Sequence, residues 1–158
     1  MNPADFAAQI RMQREWFERA TRCFSEEHSA FAPKPGMMAV AQQVAHAAHT
    51  IDWFRVGAFR PEGFDMDFES HAKEVAAVTS LAEARAWFSN ATDEMANFIA
   101  ARTVAELTEP IVPGVVMGGA MRVASVGALA DHSAHHRGAL TVYARLLGLE
   151  PAMPYMEM

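Results

Sequence analysis

Residues 131–136 of the chain run Asp131-His132-Ser133-Ala134-His135-His136, so three of its seven histidines fall in one short stretch. On a helix, His132 and His136 stand four residues apart and project side by side from one face. Neutral imidazole is the commonest side-chain ligand for zinc, nickel and similar ions, which makes such a pair a natural half of a metal site. The competing role for the pair is two core histidines satisfied by hydrogen bonds. That role demands more here, because Ser125, Leu129, His132, His136, Leu140, Tyr143 and Leu147 are spaced 4, 3, 4, 4, 3 and 4 and share one narrow face. Two imidazoles in a leucine stripe need two sets of polar partners, whereas one ion serves both. His135 lies about 60° from His132 in helical phase, toward Asp131 and solvent, and is expected to be dispensable for metal binding.

A third ligand has to come from another helix. His46 and His49 are the candidates, and they differ by about 300° in phase, so only one of them reaches inward. His46 shares a side with Gln42 and Trp53, and His49 sits nearer Ala45 and Val56; periodicity leaves the choice open. The chain has no HExxH sequence and no paired ExxH pattern, so a zincin protease and a ferritin-like dimetal site lack their ligands. Tyr143, two turns along the histidine face from His136, is the candidate catalytic proton donor; its alternative role is core packing with a satisfied hydroxyl. Arg137 falls off the ligand face. Cys23 is the only cysteine, so it makes no internal disulfide, and as a lone small residue it is expected to be inert.

Helical periodicity runs through four segments, and no stretch alternates convincingly as a strand, which gives an all-α class. The first helix carries Phe6, Ile10, Gln13, Phe17, Ala20 and Phe24 on one stripe. After the break at Phe31-Ala32-Pro33-Lys34-Pro35-Gly36, a second helix is expected over about residues 37–59, apolar nearly all round and therefore central. Residues 60–79 are expected to form a long loop with one helical turn around 71–78. Ser80-Leu81-Ala82-Glu83 matches a capping box that starts a third helix, which ends before Pro110. Residues 110–119 are too broken for a helix and too apolar for a solvated loop, so they must pack against something. The fourth helix is expected over about 120–147, stopped by Gly148. These elements make a four-helix bundle with long crossover connections.

With 158 residues, the chain is expected to be a single domain over 1–158. Its residues are 51% hydrophobic and 20% charged, which excludes a disordered chain. A net charge of -6 with 13 scattered basic residues provides no footprint for a phosphate backbone, so no nucleic acid is expected as partner. The longest run free of Asp, Glu, Lys and Arg, residues 35–51, contains two Gln, two His and a Pro-Gly step, so no membrane span and no membrane partner are expected. The N-terminal residues mix charge into an amphipathic pattern where a secretion signal would place an apolar block, which makes the cytoplasm the expected location.

The sequence resembles the DinB-like (DNA-damage-inducible B) metal-binding four-helix bundles. The likeness is carried by Val44-Ala45-His46 leading into Thr50-Ile51-Asp52-Trp53-Phe54, by Asp131-His132-Ser133-Ala134-His135-His136-Arg137-Gly138, and by Leu140-Thr141-Val142-Tyr143-Ala144-Arg145-Leu146-Leu147-Gly148. With matching helix order it spans nearly the whole chain. It implies a ligand set of one His on the second helix and an HxxxH pair on the fourth, which falls on His46, His132 and His136 and favours His46 over His49. The family's fourth helix often continues HRGQ, and this chain has Ala139 where that glutamine stands. The reaction is therefore not carried over with the fold.

The resemblance implies a metal-assisted, thiol-dependent transferase or isomerase acting on a small electrophile. Its cofactor would be a divalent metal ion, zinc or nickel, with a low-molecular-weight thiol as cosubstrate and a small molecule as substrate. Three ligands leave coordination positions open, as a catalytic site requires. The alternatives are a non-enzymatic metal-binding stress-response protein and an interaction module with the 110–119 loop as interface. A homodimer is expected from the resemblance and from the small residues Gly127, Ala134 and Gly138 on the outward side of the fourth helix.

Overall fold

Asn2 opens the first helix, α1 (Pro3–Thr21), by accepting the amide of Ala4 at 3.1 Å, and Pro3 takes the first helical position, where its missing N–H costs nothing. The computed structural model describes residues 2–156; residues 1, 157 and 158, at the ends of the expected domain, lie outside the described residues. α1 buries Ala7, Ile10, Phe17 and Ala20, and its stripe continues to the buried Phe24 beyond its last turn. After the 3-10 turn Glu26–His28, Gly36 makes the bend into α2 (Val40–Gly57) at a φ of 84°, a conformation that only glycine adopts freely. α2 is buried nearly all round, as expected. Its Ala41, Ala45, Ala47 and Ala48 are small enough for neighbours to approach closely from several sides.

The expected loop 60–79 instead contains α3 (Phe68–Ala77), ten residues long. Asp67 caps it, accepting the Ser70 amide at 3.1 Å, and Asp65 in turn accepts the Asp67 amide at 3.0 Å. Val75 is its only buried residue, although Phe68, Ala72, Val75 and Ala76 repeat at helical spacing. α4 (Leu81–Ala100) starts at the predicted Ser80 cap, and the rest of its N-terminus is satisfied from afar. Glu26 accepts the amides of Leu81 and Ala82 at 3.1 and 2.9 Å, and those bonds hold its carboxyl below the usual range. α4 ends before Pro110 as expected, and Thr103 and Glu106 then form a capping box that begins a separate short helix, α5 (Val104–Thr108).

Residues 110–119 do pack, through the buried Ile111, while Val115 at their tip is 88% exposed. The loop doubles back so tightly that a side chain at Gly118 would stand 2.4 Å from the Gly114 nitrogen. Amides of Arg122 and Val123 are committed to the carbonyls of Glu109 and Leu107, which delays α6 (Ala124–Leu146) by four residues from its expected start. Gly148, at a φ of 76°, then ends it as predicted, with Leu149 donating back to the Ala144 carbonyl at 2.9 Å.

Among the described residues the chain is all-helical, with one isolated bridge between Pro110 and Met121. α4 and α6 each pack against both α1 and α2, so α1 and α2 occupy one diagonal of the bundle and α4 and α6 the other. The chain therefore crosses the bundle after α1 and again after α4, while the long connection that carries α3 joins the neighbours α2 and α4. Polar contacts pin the α1–α4 seam: Arg14 pairs with Asp93 at 2.7 Å, and Arg85 donates to the last carbonyls of the α1 turn, those of Thr21 and Phe24. Phe17 stacks on Phe88 within that seam, with ring centroids 4.3 Å apart. No described helix is long and apolar enough to cross a membrane.

Candidate metal centre

The site forms where α2 and α6 face each other, and its order begins at a backbone carbonyl. Met38 O can only accept, and it takes the Tyr143 hydroxyl proton at 3.2 Å. The Tyr143 oxygen then accepts from Gln43 Nε2 at 3.3 Å, which turns Gln43 Oε1 toward His136 Nδ1, 2.5 Å away. That oxygen must receive a proton, so His136 carries its hydrogen on Nδ1 and keeps a lone pair on Nε2. An acceptor behind one ring nitrogen that fixes the other as a ligand is the usual support of a metal-binding histidine.

His136 Nε2 lies 3.2 Å from His132 Nε2. Two nitrogens bound to one zinc at about 2.0–2.1 Å in tetrahedral geometry stand about 3.3 Å apart, so this pair already has ligand spacing. His132 Nδ1 is buried with no protein partner, and facing the lone pair of His136 Nε2, His132 Nε2 is the donor of that contact. His46 completes the group from α2, its ring centroid 5.1 Å from His132 and 4.8 Å from His136. One ligand nitrogen from each of the three lies within 4.8 Å of the others, an arrangement that could hold a metal ion. Drawing the widest pair to zinc spacing takes a movement of about 1.5 Å, within reach of the two side-chain torsions of a histidine. The donor set fits a divalent ion.

Electrostatics favour the same use. Burial pushes His132 down to about 4 and His136 down to about 3, with the neighbouring histidines adding to the effect. Burial lowers His46 as well. All three rings are neutral at pH 7, with lone pairs available.

The other sequence candidates fall into separate places. His135 is exposed on α6, its ring 5.0 Å from that of His136 but outside the group of three. His49 turns away from the trio toward α3, its ring 4.7 Å from His71 and its Nε2 3.6 Å from Glu74. Tyr143 is buried, with its hydroxyl engaged by Gln43 and Met38. Arg137 lies over Trp16 and Tyr155, and burial pushes the Cys23 thiol up, away from nucleophilic use. Gln43 and the residues of α3 escaped the sequence reading. A polar amide one turn before His46 in an otherwise apolar helix was the available signal for Gln43, and it supplies from α2 an orienting group on a protein whose α6 has Ala139 after the Arg-Gly pair.

A cavity of about 460 Å³ adjoins the trio. His46 and His132 line it and His136 does not, so the open side of the site faces this space. α3 forms the opposite wall, attached to α2 by the Trp53 indole on the Asp65 carbonyl at 2.7 Å and by Gln42 on the Ala76 carbonyl at 3.3 Å. A family model described as the DinB superfamily matches residues 9–140, which takes in all three histidines and most of the chain. No curated protein matches it.

Burial of neutral imidazoles makes the metal-free protein pH-sensitive in a defined window. In the unfolded chain these histidines titrate near the ordinary 6.5, whereas in the folded one His132 and His136 wait until about 4 and about 3. The unfolded state therefore binds more protons below pH 6.5, and stability that is complete above that pH is lost as pH falls toward those values. The urea midpoint of metal-free protein should drop between pH 7 and pH 5, before carboxylates titrate, and drop less in His132→Asn. A midpoint that is flat or rises over that range contradicts the burial argument.

Proposed function

The chain belongs to the DinB superfamily, and from that premise we propose that His46, His132 and His136 hold one divalent ion, zinc or nickel, at which a low-molecular-weight thiol is activated and transferred to a small electrophile. The observation that carries this reading is the pair of Nε2 atoms 3.2 Å apart with a neighbouring cavity on their open side. A bound divalent ion would supply Lewis acidity, lowering the pKa of an incoming thiol and presenting the anion to the electrophile. The chain's own residues do the rest. Gln43 holds His136 in the tautomer that offers Nε2, and Tyr143 holds Gln43. His46 and His132 leave one side of the site uncovered, as an enzyme needs and a closed structural site does not.

Isothermal titration with zinc on untagged protein checks the ligand set. His46→Ala, His132→Ala and His136→Ala should each lower affinity at least about tenfold, and Gln43→Leu by about tenfold through the lost orienting bond. His135→Ala and His49→Ala should change it less than about threefold. Chelation should lower the melting temperature. Metal-free protein that refuses both zinc and nickel ends the proposal.

Tyr143 enters this reading as the proton donor, although its hydroxyl would have to leave the Met38 carbonyl to act so. Tyr143→Phe separates the two roles in a screen of thiols with model electrophiles. A proton donor loses kcat with zinc affinity intact, whereas a residue that only steadies Gln43 loses zinc affinity first.

We also infer a homodimer through the outer side of α6. Nothing covers the Cα atoms of Gly127 and Gly138, and Val142 and Leu146 are 56% and 62% exposed along the same helix. Light scattering at micromolar concentration should give twice the chain mass, and Val142→Ser with Leu146→Ser should halve it. A wild-type monomer rules this interface out.

A further inference from the structure

The cavity beside the histidines has a chemistry of its own. No lysine or arginine lines it, and the two imidazoles of its α3 side, His49 and His71, are already paired with Glu74 and Asp65, so no free counter-charge meets a phosphate, sulfonate or carboxylate on the body of a bound molecule. The carboxylates of Asp65 and Glu74, 3.3 and 3.6 Å from His71 and His49, add negative charge beside it and would repel an anion further. A cation is disfavoured at the other end by any divalent ion held at His46 and His132. What the space accepts is an uncharged body.

Its walls also select a shape. Trp53 and Phe68 bound it with ring centroids 6.0 Å apart and planes inclined at 59°. The Trp53 ring is fixed in advance by its bond to the Asp65 carbonyl. Phe68, by contrast, is 54% exposed at the first position of α3, an aromatic surface left to water beside a concave space. Covering such a ring recovers burial energy, and aromatic partners gain further from edge and face contacts. The volume, about 460 Å³, is that of an ordinary small-molecule site.

We propose that this cavity receives the flat, uncharged body of an aromatic or conjugated substrate against Trp53 and Phe68, with its reacting polar head toward His46 and His132. The placement of the head rests on the metal reading above; the placement of the body rests on the cavity alone.

Two hydroxamates with the same chelating head test it on zinc-loaded protein. Benzohydroxamate should bind at least about tenfold tighter than acetohydroxamate by calorimetry, through the buried ring. Phe68→Ala, a substitution outside the core, should bring the two within about threefold. In parallel, metal-free protein is titrated with 2-naphthol and with cyclohexanol; the naphthol should bind more tightly, and Phe68→Ala should abolish the difference. Equal hydroxamate affinities, a preference that survives Phe68→Ala, or a failure of naphthol to bind overturns the proposal. Protein that refuses zinc yet binds naphthol in a Phe68-dependent way overturns the metal reading and leaves the cavity assignment standing.

Discussion

One run of hydrogen bonds, from the Met38 carbonyl through Tyr143 and Gln43 to His136, sets the direction of each proton along it. A carbonyl has no hydrogen to give, so each group after it has its donor and acceptor roles decided in turn. The result is an imidazole whose free nitrogen points at a second imidazole at the spacing of two ligands on one ion. Because the run starts just before α2, passes through α6 and returns to α2, it also holds in register the two helices that carry all three histidines. Disturbing any member moves both the tautomer and the packing.

That arrangement costs stability. Rings buried in the α2–α6 seam are kept neutral, and His132 Nδ1 finds no protein partner. An unsatisfied buried polar atom costs about 1–3 kcal/mol, a sizeable share of the net stability of a domain. The surrounding core absorbs the cost. Leu129 and Leu140 flank the histidines along α6, and the alanines of α2 let α6 come close enough for side chains from both helices to converge. A core packed this way holds the three rings together at the α2–α6 seam.

α3 gives the site its second component. It contributes one buried residue to the core and is attached to α2 chiefly by Trp53 and Gln42, so its weight in folding is small. Its position matters more: it closes a space into which His46 and His132 open, and it brings His71 to His49. The two histidines of α2, three residues apart, thereby take different tasks. His46 turns to α6 and its two histidines, while His49 turns to α3 and the cavity.

The local repeat of apolar residues was enough to read the four long helices, the central burial of α2, the stop at Gly148 and the shared face of His132 with His136. All of these depend on neighbours within a few turns of the same helix, where 3.6 residues per turn ties spacing to direction. The same local rule could not choose between His46 and His49. That choice depends on which side of α2 meets α6 and which meets α3, and a helix apolar on nearly every side carries no mark of its neighbours. Gln43 was hidden for a related reason, since its partners His136 and Tyr143 lie 93 and 100 residues away in sequence. α3 reads as mostly loop because its apolar stripe, Phe68, Ala72, Val75 and Ala76, is short and follows the breaks at Pro61 and Gly63, and only Val75 of it is buried. Orientation of one helix face against another is settled only when all four helices pack at once, and it was this packing that turned scattered histidines into a site and a cavity.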